Sequence, residues 1–583
     1  MHELRRLLGF VRPYRRLSVL ALVMLTTLVA FDLAIPRLVQ RIVDEGIGKH
    51  DQRAVISTAL VMLGISAISF FIAILNNSYS VRVGEGVARD LREALFTKIQ
   101  TLSFADLDRL KTGELLVRLT SDVGAVKAFT QVSLRIGTRA PLMMAGSLVL
   151  MVTTSPRLAL TLSPLLIVTA ILLVVFVARL EPLYRNLQER LDRVNTVLGE
   201  NVAGARLVKA FVRAAHERAR FAAANDAMTE RSIRVMRTTA TMTPALTMCV
   251  NLGVVVVVAM GGRQSIEGEL TLGQIVAFSN YLLTTMTPLI MMTMLTSTWA
   301  AGLASLRRIG KVLETEPAIT DRANAITIPD GAKPSVRFEG VSFSYAEGAP
   351  AISDVSFETF GGKTIAILGA TGAGKTTLVE LIPRFYDATR GSVSVFDHDV
   401  RTVQQAALAS RVGFVQQEAV LFSGTVRENI AYGRPSATDE EVERAARAAE
   451  AHAFIEELVG GYGARVEQRG RNFSGGQRQR LAIARALLVD PDVLVLDDST
   501  SAVDVETEAR IQAALRRGRP DRTTFIVAQR ISTVLDADAI LVLDKGRVVA
   551  FGTHDELLAS SEVYREIYES QLGEGVAPRQ EPA

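Results

Sequence analysis

The sequence holds a single cysteine, Cys249, and it lies in an apolar stretch. That excludes a disulfide framework or a thiolate metal cluster, and a lone cysteine there reads as a small buried hydrophobe. Charge of one sign is also missing. Lys and Arg number 65 against 61 Asp and Glu, a formal net charge of only +4. No bulk field of the kind that gathers nucleic acid is present, and no nucleic-acid partner is expected. The opening MHELRRLLGFVRPYRR runs into an apolar segment without a small-residue cleavage site, so no cleavable secretory signal is read there. Period-two alternation is absent from the apolar runs, which excludes a membrane barrel.

What is present is apolar surface in long blocks. The 583 residues exceed one compact core. Hydrophobic residues make up 49% and charged residues 22%, with a mean hydropathy of +0.25, so apolar and charged residues must be segregated. Six stretches approach the roughly 20 residues that cross a bilayer: Leu17–Leu38, Val55–Asn76, Ala140–Thr154, Leu158–Ala178, Pro244–Met260 and Leu272–Trp299. Ser155, Pro156 and Arg157 alone join the third to the fourth, as a tight hairpin outside the membrane. Arg5, Arg6, Arg12, Arg15 and Arg16 precede the first span and favour a cytosolic N-terminus. The long charged connections after the second and fourth spans have helical periodicity and read as spans continuing into the cytosol; separate soluble hairpins are the alternative. Residues 1–315 thus form a six-span membrane domain, 316–334 a Pro/Asp/Gly-bearing linker, 335–573 an α/β domain of short strands alternating with helices, and 574–583 a flexible tail.

The α/β domain carries the chemistry. Gly369, Ala370, Thr371, Gly372, Ala373, Gly374, Lys375, Thr376 and Thr377 follow an apolar strand, Thr364–Leu368, and open a helix expected over Leu378–Ile382. This is the strand-loop-helix setting of a P-loop. Its glycines let backbone N–H groups close on phosphate oxygens, Lys375 reaches the β and γ phosphates, and Thr376 can ligate Mg²⁺. The run Val493–Asp497 is a buried strand whose terminal Asp497 meets the metal. Ser474, Gly475, Gly476 and Gln477 precede an Arg-rich helix and can form a second anion nest. One P-loop already serves this chain's nucleotide, so the spare nest faces a nucleotide held by another subunit. A plain helix cap is the bland alternative.

With these motifs the chain resembles, over nearly its whole length, an ABC exporter half-transporter. The resemblance implies a domain-swapped six-helix membrane fold fused to a P-loop cassette that binds ATP and Mg²⁺. It implies that Tyr345 stacks on adenine, that Gln417 touches Mg²⁺ and senses the membrane domain, and that Asp504 lies in a loop crossing the dimer interface. Ser103–Val123 and Arg206–Ala219 resemble the regions of the two coupling helices, the second resting on the partner's cassette.

Two positions depart from the family pattern. Asp498 stands where a glutamate usually orients the attacking water, and Gln529 where a histidine usually contacts the γ-phosphate; Gln468 also replaces a common glutamate. Asp is one methylene shorter than Glu, and Gln cannot become cationic. Together they read as a degenerate, slowly hydrolysing site, typical of heterodimeric exporters. The signature is intact and would complete a competent site on a second half-transporter bearing the glutamate and histidine.

The membrane half gives weaker signals. Asp32 in the first span reads either as an extracellular gate or substrate contact, or as an ion pair inside the bundle. Met286, Met291, Met292 and Met294, with Trp299 beyond them, suit a surface for varied apolar ligands or fill gaps. Arg135 and Arg139 are expected to snorkel at the cytosolic mouth of the third span. The function read is ATP-driven export of amphipathic drugs or lipids. Alternatives are an importer on the same fold, for siderophores for instance, an ATP-gated channel or regulatory subunit, and a soluble ABC ATPase, which the six spans oppose. Arginine-over-lysine, alanine-rich composition points to a GC-rich bacterium and its plasma membrane.

Overall fold

The computed structural model describes residues 2–329, 331–345 and 348–572, and the tail 574–583 lies outside them. The chain divides into two units: Met1–Gln100 with Gly113–Thr315, and Thr101–Thr112 with Glu316–Ala583. Thr101–Thr112 fall within the 1–315 stretch, and most of them belong to the Ser103–Val123 region that resembles a cassette-docking coupling helix; in space they group with the cassette.

The first unit is helical. Five helices among the described residues are long and apolar enough to cross a membrane: α1 (Glu3–Ile47), α2 (Gln52–Gln100), α4 (Thr112–Thr154), α5 (Pro156–Ala203) and α7 (Ala214–Ile266). The sixth expected span lies on α8 (Leu272–Glu314). Short helices α3 (Phe104–Leu110) and α6 (Ala205–Ala210) fall in the two long connections. Ser155 caps α5 by accepting from Leu158 N, with Pro156 behind it, which explains the tight turn after α4. Leu60, Leu63, Phe70 and Phe71 of α2 are exposed, as a surface solvated by lipid allows.

Polar groups tie the helices together where apolar packing cannot choose a register. Asp44 near the end of α1 accepts from Thr271 Oγ1 (2.6 Å) and Gly273 N (2.8 Å) at the start of α8. Asp122, buried on α4, accepts from Ser305 Oγ (2.9 Å) and from Arg308 Nε on α8. Asp32 accepts from Arg139 Nη2 at 2.7 Å. Arg139 thus pairs with a carboxylate on the neighbouring helix. The ion-pair reading of Asp32 is the one this contact supports. Cys249 is half-buried rather than buried. The side chains of Met286 and Met294 lie outside the described residues, while Met291 is exposed.

The second unit is the cassette. Strands β1 (Val336–Phe343), β2 (Ile352–Thr359), β4 (Arg390–Val395) and β5 (His398–Asp399) form an antiparallel sheet in the order β2-β1-β4-β5. A six-stranded sheet has the order β12-β11-β3-β10-β9-β6, built from β3 (Thr364–Gly369), β6 (Val412–Val415), β9 (Val493–Asp497), β10 (Thr523–Val527), β11 (Ala539–Asp544) and β12 (Arg547–Gly552), while β7 (Gly424–Thr425) and β8 (Arg465–Val466) pair as a short ribbon. Strands β3, β10, β9 and β6 run parallel, with Val527 opposite both Ile367 and Asp497. Every residue of β9 and β10 is buried, as continuous apolar runs in a two-sided parallel sheet require. The C-terminal ends of four neighbouring parallel strands therefore reach one edge, the usual place for a ligand on such a sheet.

Within this unit α3 rests on cassette residues. Tyr386 donates to Asp108 Oδ2 at 2.6 Å, and Phe104 stacks on Phe385 with ring centroids 4.2 Å apart.

Candidate functional site

Four strand ends deliver the chemistry to that edge. β3 leads into Gly369 and the glycine-rich loop, β9 into Asp497 and Asp498, β10 into Gln529, and β6 into Gln417. Asp497, Asp498, Gln529 and Gln417 line one cleft of about 400 Å³ with Tyr345, Thr371, Gly372, Gly374, Lys375, Thr376 and Thr377.

The loop conformation depends on glycine at two points. Gly369 has φ +154°, and a Cβ there would lie 2.2 Å from Leu543 O. Gly374 has φ +96°, and its Cβ would lie 2.6 Å from Ala351 O. Any side chain would push the loop off the strands beneath it. Helix α9 spans Lys375–Glu380, three residues earlier than the Leu378 start expected, because Gly374 in the left-handed region turns the chain directly into it. Lys375 Nζ donates to Gly369 O (2.8 Å) and Ala370 O (3.0 Å), so the ammonium lies over the loop. Burial lowers its pKa, with Asp498 and Asp497 opposing that shift.

Thr376 donates to Asp497 Oδ1 at 3.0 Å. A hydroxyl and a carboxylate at this spacing are hard oxygen donors of the type that hold Mg²⁺ against phosphates, so this pair fits the ion. Asp497 is 2% exposed, and burial pushes its carboxyl up to about 6, with the Thr376 hydrogen bond pulling the other way.

Asp498 Oδ2 accepts from two amides, Gln417 Nε2 at 3.0 Å and Gln529 Nε2 at 2.7 Å. The two positions that depart from the family pattern thus touch each other. Asp498 also has φ +45°, a region that Asp tolerates better than larger side chains.

Tyr345, 54% exposed, bonds Thr377 Oγ1 through its hydroxyl at 2.9 Å and donates to Glu380 Oε2 at 3.1 Å. Glu380 was not singled out from the sequence. Its position one turn into the helix after the loop is the signal that marks it. Burial raises its carboxyl to about 7, against the Tyr345 hydrogen bond. Because the folded pKa lies above the ordinary glutamate value, the unfolded chain releases this proton first as pH rises. The site then costs stability that grows from about pH 4.5 and is complete above about pH 7. Glu380→Gln keeps the acceptor and removes that cost. Its melting temperature should exceed wild type by a few degrees at pH 8 and match it at pH 4.5, read by thermal denaturation.

The signature residues stand apart from the cleft. Ser474 caps helix α10 (Gly475–Leu488): its Oγ accepts from Gln477 N (3.2 Å), and Gln477 Oε1 accepts from Ser474 N (2.9 Å). Asp504 likewise caps α11 (Val505–Gly518), accepting from Thr507 N at 2.9 Å. Neither Ser474, Gly475, Gly476, Gln477 nor Asp504 lines the cleft of its own chain. Ala373, buried under the loop, does not line it either.

Two family models match in series: "ABC transporter transmembrane region" over residues 18–289 and "ABC transporter" over 352–501. The protein named YfiB, an uncharacterised ABC transporter ATP-binding protein of Bacillus subtilis, is 38% identical across 98% of this chain and 99% of its own. The chain belongs to the ABC exporter half-transporters. YgaD, from the same bacterium and named a putative multidrug export ATP-binding/permease protein, is 34% identical across 98% of this chain and 100% of its own. A bacterial Atm1-family ABC exporter solved with ATP bound is 29% identical, covers 97% of this chain and 99% of its own, and superposes with a TM-score of 0.82. This half-transporter is therefore an ABC exporter subunit, a multi-pass membrane protein whose cassette binds ATP and couples its hydrolysis to transport.

Proposed function

We propose that this chain is the slow-site half of a heterodimeric exporter of amphipathic compounds in a bacterial plasma membrane, with both termini and the cassette in the cytosol. The observation that carries the reading is the Asp498 carboxylate held by two amides. A water-orienting base needs heavy-atom contact of about 2.6–3.2 Å with its water. Asp is one methylene short of the usual glutamate, and the oxygen it offers already accepts twice. Gln529 in the histidine's place donates a neutral N–H where a cation would offset developing phosphate charge.

Lys375, the loop amides and Thr371 to Thr377 grip the triphosphate, while Tyr345 offers an aromatic face to the base. Thr376, Asp497 and Gln417 would hold Mg²⁺, which would supply positive charge against the triphosphate. Ser474, Gly475, Gly476 and Gln477, with Asp504 beside them, serve the nucleotide of the second half-transporter. Two cassettes closing on shared ATP bias the membrane helices toward one opening, and hydrolysis at the partner's site releases them. The multidrug-export name carried by YgaD supports an amphipathic cargo.

Steady-state ATPase of the purified chain alone, against the chain with its co-purifying half-transporter, tests the assignment. The lone chain should turn over at least about tenfold more slowly. A misplacement near 1 Å costs around 100-fold, so equal turnover refutes the slow site.

A further inference from the structure

A half-open cavity of about 490 Å³ lies between α1, α2, α4 and α8 of the first unit. Leu25, Leu28, Met143 and Met291 give it apolar walls, and Arg135 and Arg139 line it as well. Arg135, Arg139 and Met143 follow each other at four-residue steps, so they form one column on α4. Arg139 is neutralised by Asp32 at 2.7 Å. Asn76, also in the lining, already donates its amide to Ala21 O at 2.7 Å. Among the described residues no carboxylate pairs with Arg135. The half-open cavity therefore presents one exposed guanidinium without a carboxylate partner among the described residues.

Depth matters here. From Arg135 to Thr154 the helix rises about 28 Å, close to the roughly 30 Å of a bilayer's hydrocarbon core. Arg135 therefore stands about one core thickness from the turn that ends α4, and the apolar wall extends from it along the helix. An unmatched charge at such a place marks a substrate path more often than a structural contact.

We propose that this cavity binds a single-chain amphiphile with one negative charge, its carboxylate on Arg135 and its chain along Met143, Leu25 and Leu28. The volume is in the range of drug-sized ligands and too small for a two-chain phospholipid. The proposal rests on the exporter reading and names the charge class of its cargo.

The full chain in nanodiscs of zwitterionic lipid is titrated with decanoate and, separately, with decyltrimethylammonium, and binding in excess of that to empty nanodiscs is followed by isothermal titration calorimetry. Decanoate should give a saturable change and the cation none. Arg135→Gln should raise the decanoate midpoint about tenfold, the usual worth of one charge-assisted hydrogen bond. Arg135→Lys should restore most of it, and Asp32→Asn, which releases Arg139, should lower the midpoint. An unchanged midpoint in Arg135→Gln, an equal saturable response to the cation, or a linear response to decanoate overturns the proposal. ATP binding measured on the same nanodiscs separates the two readings. If it persists while decanoate fails, only the anion site falls. If ATP binding itself is lost, the exporter reading falls with it.

Discussion

Asp498→Glu combined with Gln529→His should raise ATP turnover of this chain about 100-fold. The extra methylene carries the carboxylate roughly 1–1.5 Å further toward the water, and a shift near 1 Å is worth about that factor. Histidine at 529 removes the amide now donating to Asp498 Oδ2 at 2.7 Å and supplies a group that can be cationic near neutral pH. Asp498→Glu alone leaves Gln529 in place to claim the new carboxylate, so its gain should be smaller. Glutamate at φ +45° should cost about 1 kcal/mol of cassette stability, visible in a melt without cancelling the rate. Phosphate release by the purified double variant is the measurement. A rate equal to wild type would remove the side-chain explanation for the slow site.

Ser474→Asp should abolish hydrolysis by the assembled pair while leaving this cassette folded. Aspartate caps a helix as well as serine does, so the bond from Gln477 N to residue 474 survives and stability should change by less than about 0.5 kcal/mol. What changes is charge: a carboxylate would face the γ-phosphate of the partner's nucleotide. Losing a donor to a developing anion costs about 100- to 1,000-fold, and repulsion adds to that. If the pair keeps its turnover, Ser474 is a helix cap and nothing more.

The sequence made the P-loop legible because its geometry is local: a buried strand, three glycines and a helix within 20 residues. The pairing of Thr376 with Asp497 was also foreseeable, since both motifs end on strands of one parallel sheet. The double acceptance at Asp498 was not. Gln417 and Gln529 lie 81 and 31 residues from it, and only the order β10-β9-β6 makes them neighbours. Each substitution was visible singly, but their contact required the fold. Asp32 and Arg139 are 107 residues apart on different helices, and helical periodicity assigns a face without naming which helix covers it. That Thr101–Thr112 group with the cassette agrees with the resemblance of Ser103–Val123 to a coupling-helix region, but the residues they meet there were hidden for the same reason. Phe104 and Asp108 show ordinary helix spacing, while their partners Phe385 and Tyr386 follow the P-loop helix nearly 280 residues later. Ser474 remained ambiguous because an anion nest and a helix cap use the same exposed N–H groups.

Helix α2 runs 49 residues without a break or a proline. The other five long helices each contain at least one: Pro36 in α1, Pro141 in α4, Pro164 and Pro182 in α5, Pro244 in α7 and Pro288 in α8. Proline removes a backbone bond and gives a helix a joint. The bundle is thus mechanically uneven, with one stiff strut about 73 Å long among articulated neighbours. Any change in its shape must swing α2 as a whole and take up the bending elsewhere.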